Sequence, residues 1–365
     1  MGSETAFSAS QAADALNYMA LAGYDAETSM NMLPNVLNLA AAGTMDLARA
    51  SDMVTDTATA FGLTLKDGSV DIERTTQLVD EMAKAASTGN TSVSQLGDAF
   101  LVVGGLTQEL NGGIVNLADG TTASVDGIQE LEIALTGMAN AGIKGSEAGT
   151  HMRNMLLKLS SPSDAGAKQM EALGVSVFDA TGKMRSLSDI FGDLSVRLGT
   201  LTQQEKIQAI SDLFNARDIA SAEALLSAVE QDWDKIGESI LHASDNGGAA
   251  SQMAKTQLDN LAGDVTYFRS ALEGIQIALS DKLTPTLRKF VQFGTSGLSK
   301  LTTAFKEKGL KGAMDTVGEV ISELAVMLVE MTPDFLEAVS TILSAIGQGL
   351  IDNLPAILDV AFTLV

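Results

Sequence analysis

The chain has 365 residues, with 23 Lys plus Arg against 46 Asp plus Glu, two histidines and no cysteine. A net charge of -23 repels phosphate and argues against sequence-specific nucleic-acid binding, and the lack of cysteine removes disulfides, thiolate nucleophiles and thiolate zinc. At roughly 100 to 200 residues per domain the length predicts two or three units, and 45% apolar with only 4% aromatic content predicts an aliphatic, methionine-filled core of closely packed helices.

The opening Met1-Gly-Ser-Glu4 lacks a basic region followed by an apolar one, so it does not read as a secretory signal. Ser8 with Gln11 makes a capping box, and Ala12, Ala15, Leu16, Met19 and Ala20 follow at helical spacing to a stop at Gly23. Leu33, Val36, Leu37, Leu39 and Ala40 predict a second helix ending near Gly43, and Leu47, Met53, Val54 and Ala58 a third ending at Gly62. The uncharged run Thr28 to Met45 contains three asparagines, Pro34 and Gly43, which disqualifies it as a membrane span.

Residues 15–40 and 134–159 align without gaps at eight identities in 26, among them Leu16/Leu135, Met19/Met138 and Gly23/Gly142. A helix, glycine, helix unit thus occurs twice, with a fainter echo of Ser10–Leu16 at Ser94–Phe100, as expected of stacked helical hairpins. Residues 114–125, around Asp119-Gly120, and 175–187, around Thr181-Gly182, read as β-hairpins. Thr202 with Glu205 caps a further helix, and Ser244–Ser251 reads as a linker.

No nucleophile elbow, Walker motif or dinucleotide fingerprint occurs, and His151 and His242 stand 91 residues apart, too far for paired ligands on one helical turn. We therefore predict no catalytic, metal or cofactor-binding residues and no cofactor. His151 reads as a polar contact near a helix start, Gly142, Gly145 and Gly149 as helix-junction glycines, and Trp233 as a core residue or an interface anchor.

Past the linker, Leu258, Leu261, Val265, Phe268, Leu272, Ile275 and Leu279 recur at alternating spacings of 3 and 4, a heptad seam for self-association or for another helix of the same chain. A basic collar follows, Lys282, Arg288, Lys289, Lys300, Lys306, Lys308 and Lys311, which could face nucleic acid, anionic lipid, an acidic protein surface or solvent. Residues 312–365 then hold eight acids and no Lys or Arg, and Pro333-Asp-Phe-Leu-Glu is echoed by Pro355-Ala-Ile-Leu-Asp at an offset of 22. The chain stops inside that second copy, as a piece of a longer protein would. The predicted class is mainly α: a multi-helix bundle of short repeated helical hairpins with two small β-hairpin excursions, then longer amphipathic helices. Its segments are 1–105, a hairpin insertion 106–126, a second helical unit 127–174, a hairpin 175–187, a helical unit 188–243, linker 244–251, heptad helix and collar 252–311, and the apolar acidic tail 312–365.

Several ordered blocks resemble the phage tail tape measure family. They are Thr5-Ala-Phe-Ser8, Met19-Ala-Leu-Ala-Gly-Tyr-Asp25, Val36-Leu-Asn-Leu-Ala-Ala-Ala-Gly43, Asn90-Thr-Ser-Val93, Ala139-Asn-Ala-Gly-Ile-Lys-Gly-Ser146, Leu173-Gly-Val-Ser-Val-Phe-Asp179, Phe214-Asn-Ala-Arg217 and Ala271-Leu-Glu-Gly274. The resemblance covers roughly residues 5–285, and residues 107–126 depart from its commonest pattern by an inserted hairpin. It implies a structural, non-enzymatic protein of the virion tail. Several copies would lie in the tube lumen after assembly in the host cytoplasm, help set tube length and leave ahead of the DNA. The implied partners are tail tube and tail tip proteins, tail assembly chaperones, other copies of itself and the host membrane. A membrane-active, pore-forming protein for DNA ejection is the alternative, carried by the apolar tail.

Overall fold

The computed structural model describes residues 7–64, 69–260 and 262–274, then 277, 280, 288, 292–293, 295–309, 311, 315–323 and 326. Packing divides the chain into two units, Ser3–Thr266 and Tyr267–Val365. The boundaries predicted at 105, 126, 174, 187 and 243 all fall inside the first unit, because its helices share one continuous core.

The first unit is mainly α-helical, as predicted. Its helices are α1 (Ala9–Leu21), α2 (Ala26–Gly43), α3 (Leu47–Ala60), α4 (Ile72–Thr88) and α5 (Val93–Val103). A hairpin of β1 (Gly113–Asn116) and β2 (Thr122–Val125) follows, then α6 (Gly127–Asn140), α7 (Gly145–Ser160), α8 (Asp164–Leu173), α9 (Leu187–Leu198), α10 (Gln203–Phe214), α11 (Ile219–Gln231), α12 (Trp233–Leu241) and α13 (Ala249–Leu258).

Local chemistry sets most of these limits. Both predicted capping boxes form, at Ser8/Gln11 and Thr202/Glu205, and the echo at Ser94 marks a third, Ser92 with Gln95. The repeated helix-glycine-helix unit is a shared C-cap: Tyr24 N–H donates to Met19 O at 3.1 Å and Ile143 N–H to Met138 O at 3.0 Å. Gly23 (φ +96°) and Gly142 (φ +93°) supply the left-handed residue that this cap needs. The second helix starts earlier than its apolar spacing suggests. Asp25 caps it through Thr28 N–H at 2.7 Å, and Pro34 sits inside it, where burial of Met32, Leu33, Val36 and Leu37 outweighs a lost backbone hydrogen bond.

β1 pairs antiparallel with β2, Gly113 opposite Val125 and Asn116 opposite Thr122. The second predicted hairpin narrows to one bridge, Phe178–Met184, and an unpredicted bridge joins Thr64 to Val70. In both predicted turns an aspartate, Asp119 or Asp179, accepts the backbone N–H and hydroxyl of a threonine two residues on.

Helix α6 is central, packed by α4, α5, α7, α9, α11 and α12. The α5–α7 crossing is close because Gly149 on α7 faces the Ala99 backbone of α5. Phe61 meets Phe100 edge to face at 5.1 Å, Phe191 stacks on Phe214 at 5.8 Å, and Trp233 is buried in the core.

Candidate functional site

The polar chemistry of the first unit gathers where α4 and α6 meet. Arg74, in the first turn of α4, pairs with Glu81 at 2.7 Å and with Asp126, the N-cap of α6, at 3.0 Å. Gln129 Nε2 donates to the other Glu81 oxygen at 2.7 Å. Burial alone would lower the Arg74 pKa, but the Glu81 and Asp126 carboxylates raise it. Burial pushes Glu81 up against the pull of Arg74. Glu132 is fully buried, and neither carboxyl oxygen has a hydrogen-bond partner among the described residues. Burial, reinforced by Glu81 and opposed by Arg74, holds it well above the usual carboxylate range.

Two further acids cap helices other than their own. Glu130, on α6, accepts from Leu187 N–H at 2.5 Å and the Ser188 hydroxyl at 2.6 Å at the start of α9. Burial raises its pKa to about 7 even though these hydrogen bonds oppose the shift. Asp80, on α4, accepts from Ala250 N–H at 3.1 Å and the Ser244 hydroxyl at 3.2 Å, standing in for the cap that Gly248 cannot supply to α13. These acids fasten helices together, and burial withholds them from solvent. Asp80→Ala is expected to cost about 1–2 kcal/mol by stranding the Ala250 amide. Amide exchange should then accelerate first in 249–258; unchanged protection there would show that the cap is dispensable.

His151 does make a polar contact, but with a tertiary partner. Its Nδ1 lies 2.5 Å from Oδ1 of the fully buried Asp218, whose other oxygen accepts from Asn215 Nδ2 at 2.7 Å. The pair ties α7 to the start of α11.

The heptad seam is not one continuous helix. Leu258 ends α13, Asp259 leaves helical geometry, and Asn260 caps a new helix over 262–274 through Gly263 N–H at 3.0 Å. Periodicity alone could not see this break, because Asp259-Asn260 interrupts no apolar position. On the new helix Val265, Phe268 and Leu272 are exposed, Phe268 by 65%. Leu261, Ile275 and Leu279 lie outside the described residues.

The collar is partly neutralised. Lys300 meets both carboxylate oxygens of Glu323, at 2.6 and 2.8 Å, so the acidic stretch supplies a counter-charge that the sequence shows only downstream. Both partners are nearly half exposed, which keeps the pair's contribution small. Arg288, Lys306, Lys308 and Lys311 are exposed; Lys282 and Lys289 lie outside the described residues, as does the tail repeat at 333–359.

A family model described as "Phage-related minor tail protein" matches residues 1–215. The "Tape measure protein" of Pneumococcus phage Dp-1 is 32% identical over 305 residues, covering 84% of this chain and 24% of that protein. The chain belongs to the phage tail tape measure family. The "Probable tape measure protein" of Escherichia phage P2 is 26% identical over 307 residues, 82% of this chain and 34% of its own length. The chain thus spans about a quarter to a third of the tape measure relatives it matches. No solved structure matches it.

Several of the tape measure blocks seen in the sequence fall at structural joints, whereas Val36–Gly43 lies within α2 and 271–274 within the helix over 262–274. Ala139–Ser146 is the α6–α7 turn, and Phe214–Arg217 is the α10–α11 connection, where Asn215 takes φ +89°. Spacing did not reveal Asp80, Glu130 or Asp218, because each has a partner in a distant segment, nor Glu132, whose burial comes from the helices packed around α6. One signal was available: Glu130 and Glu132 are the two charged residues of a helix that carries no cation.

Proposed function

We propose that this chain is the folded part of a tape measure protein that scaffolds tail tube assembly and takes part in genome delivery, with the measuring length lying in other parts of the parent. The family match over residues 1–215 carries this reading. The helical unit behind it and the exposed Val265, Phe268 and Leu272 add a body and an apolar row for association with other copies. On this reading the protein sits in the tube lumen, contacts tube and tip proteins, and works without catalysis. A rod of 365 helical residues would reach about 550 Å at 1.5 Å per residue, but the first unit folds back on itself many times.

Among the described residues no helix is long and apolar enough to cross a membrane.

The test is genetic and morphological. Removing the parent protein is expected to abolish tails of uniform length. Restoring it with residues 252–311 duplicated is expected to give tails of parental length by electron microscopy. Normal tails without the parent would overturn the reading. Tails longer by about 90 Å, the rise of the added residues as helix, would move the ruler into this segment.

A further inference from the structure

An open groove of about 510 Å³ runs between the C-terminal half of α7 and the α10–α11 connection. Asn154, Leu157 and Lys158 line one wall, and Asn215, Ala216 and Arg217 the other. Leu157 is 43% exposed, so the groove offers apolar contact as well as two cations. No acid stands in the lining, and neither Lys158 nor Arg217 forms an ion pair among the described residues. In a chain with twice as many acids as cations, that is a local reversal of charge.

The loop wall is held in place before any ligand arrives. Asn215 keeps its left-handed backbone because its side chain accepts from Arg217 N–H at 2.9 Å and donates to Asp218, itself fastened to His151. A wall fixed in this way loses little conformational entropy on binding.

The complementary chemistry is an acidic segment with adjacent bulky apolar residues and no cations. This sequence contains one: Asp334-Phe-Leu-Glu337 and Ile357-Leu-Asp359, within a stretch free of Lys and Arg. We propose that the groove receives the 333–359 segment of a second copy of this chain. Lys158 and Arg217 meet its carboxylates, and Leu157 meets its apolar side chains. The inference rests on the assembly reading above, which brings copies together.

Mixed isotopically light and heavy full-length chains, treated with a carbodiimide, test it directly. The reagent condenses a lysine amine with a neighbouring carboxylate, releasing the elements of water. Links from Lys158 to Asp334, Glu337, Asp352 or Asp359 that join light to heavy chains are expected. Their absence, links to other acids, or links confined to one copy would overturn the proposal. The double variant K158E/R217E alters only groove surface and should keep its circular dichroism and thermal transition, while self-association by sedimentation velocity weakens about tenfold. Undiminished association in that variant would remove the groove as the docking site. It would leave the assembly reading standing, since tail morphology tests that separately.

Discussion

Gly149→Val is expected to destabilise the first unit by about 3 kcal/mol, read as a lower urea midpoint at unchanged slope. A Cβ at this position would lie 2.6 Å from the Ala99 carbonyl oxygen and 2.9 Å from Ala99 Cα, so the obstacle is backbone that cannot rotate away. Helices α5 and α7 would have to separate, loosening contacts around the buried Phe100, Met152 and Met155. The helix propensities of valine and glycine differ by only a few tenths of a kcal/mol, too little to offset this. Gly105→Ala is the control, because nothing lies within 4 Å of its added methyl. Equal midpoints for the two variants would mean that the crossing can relax.

Stability is expected to fall as pH rises from about 4.5 to about 7.5. Glu130 has a native pKa of about 7 against an ordinary 4.5, so the folded state holds its proton through that window while the unfolded state has released it. Its contribution is fully present below about 4.5 and is lost as pH passes 7. A difference of this size corresponds to about 3 kcal/mol. Asp80, Glu81 and Glu132 are raised as well, chiefly by burial, and act in the same direction. The acids whose pKa is lowered, Asp25, Asp119, Asp179 and Glu205, are exposed residues tied into caps and turns, and they act only at lower pH. Glu130→Gln should flatten the slope between pH 5 and 8, as followed by chemical denaturation. An unaltered slope would assign it to the other acids.

How far the fold could be read in advance depended on the range of the interaction. Ser8 and Gln11, Thr202 and Glu205, Gly23 and Gly142 act on backbone groups within a few residues, so their roles are visible in the chain. The hairpin at 114–125 was visible for the same reason. Asp25 as a helix cap was hidden because the apolar spacing of that helix begins only at Leu33. The break in the heptad seam was hidden because a capping asparagine leaves the apolar period intact.

The sequence by itself determined those helix ends that local caps set, as at Ser8, Gly23, Gly142 and Thr202, that aliphatic faces would need cover, and the family to which the chain belongs. The tertiary structure decided which face receives that cover. Helices α1 and α6 share a pattern and a C-cap, yet α1 buries three residues and α6 ten. Neighbours make that difference: α4, α5, α7, α9, α11 and α12 pack on α6, whereas α1 packs chiefly on α2 and α3. The same holds for Glu130 and His151, whose partners lie 57 and 67 residues away. Burial and pairing over such distances belong to the packed molecule, because the energy of a buried charge depends on what surrounds it and not on its place in the chain.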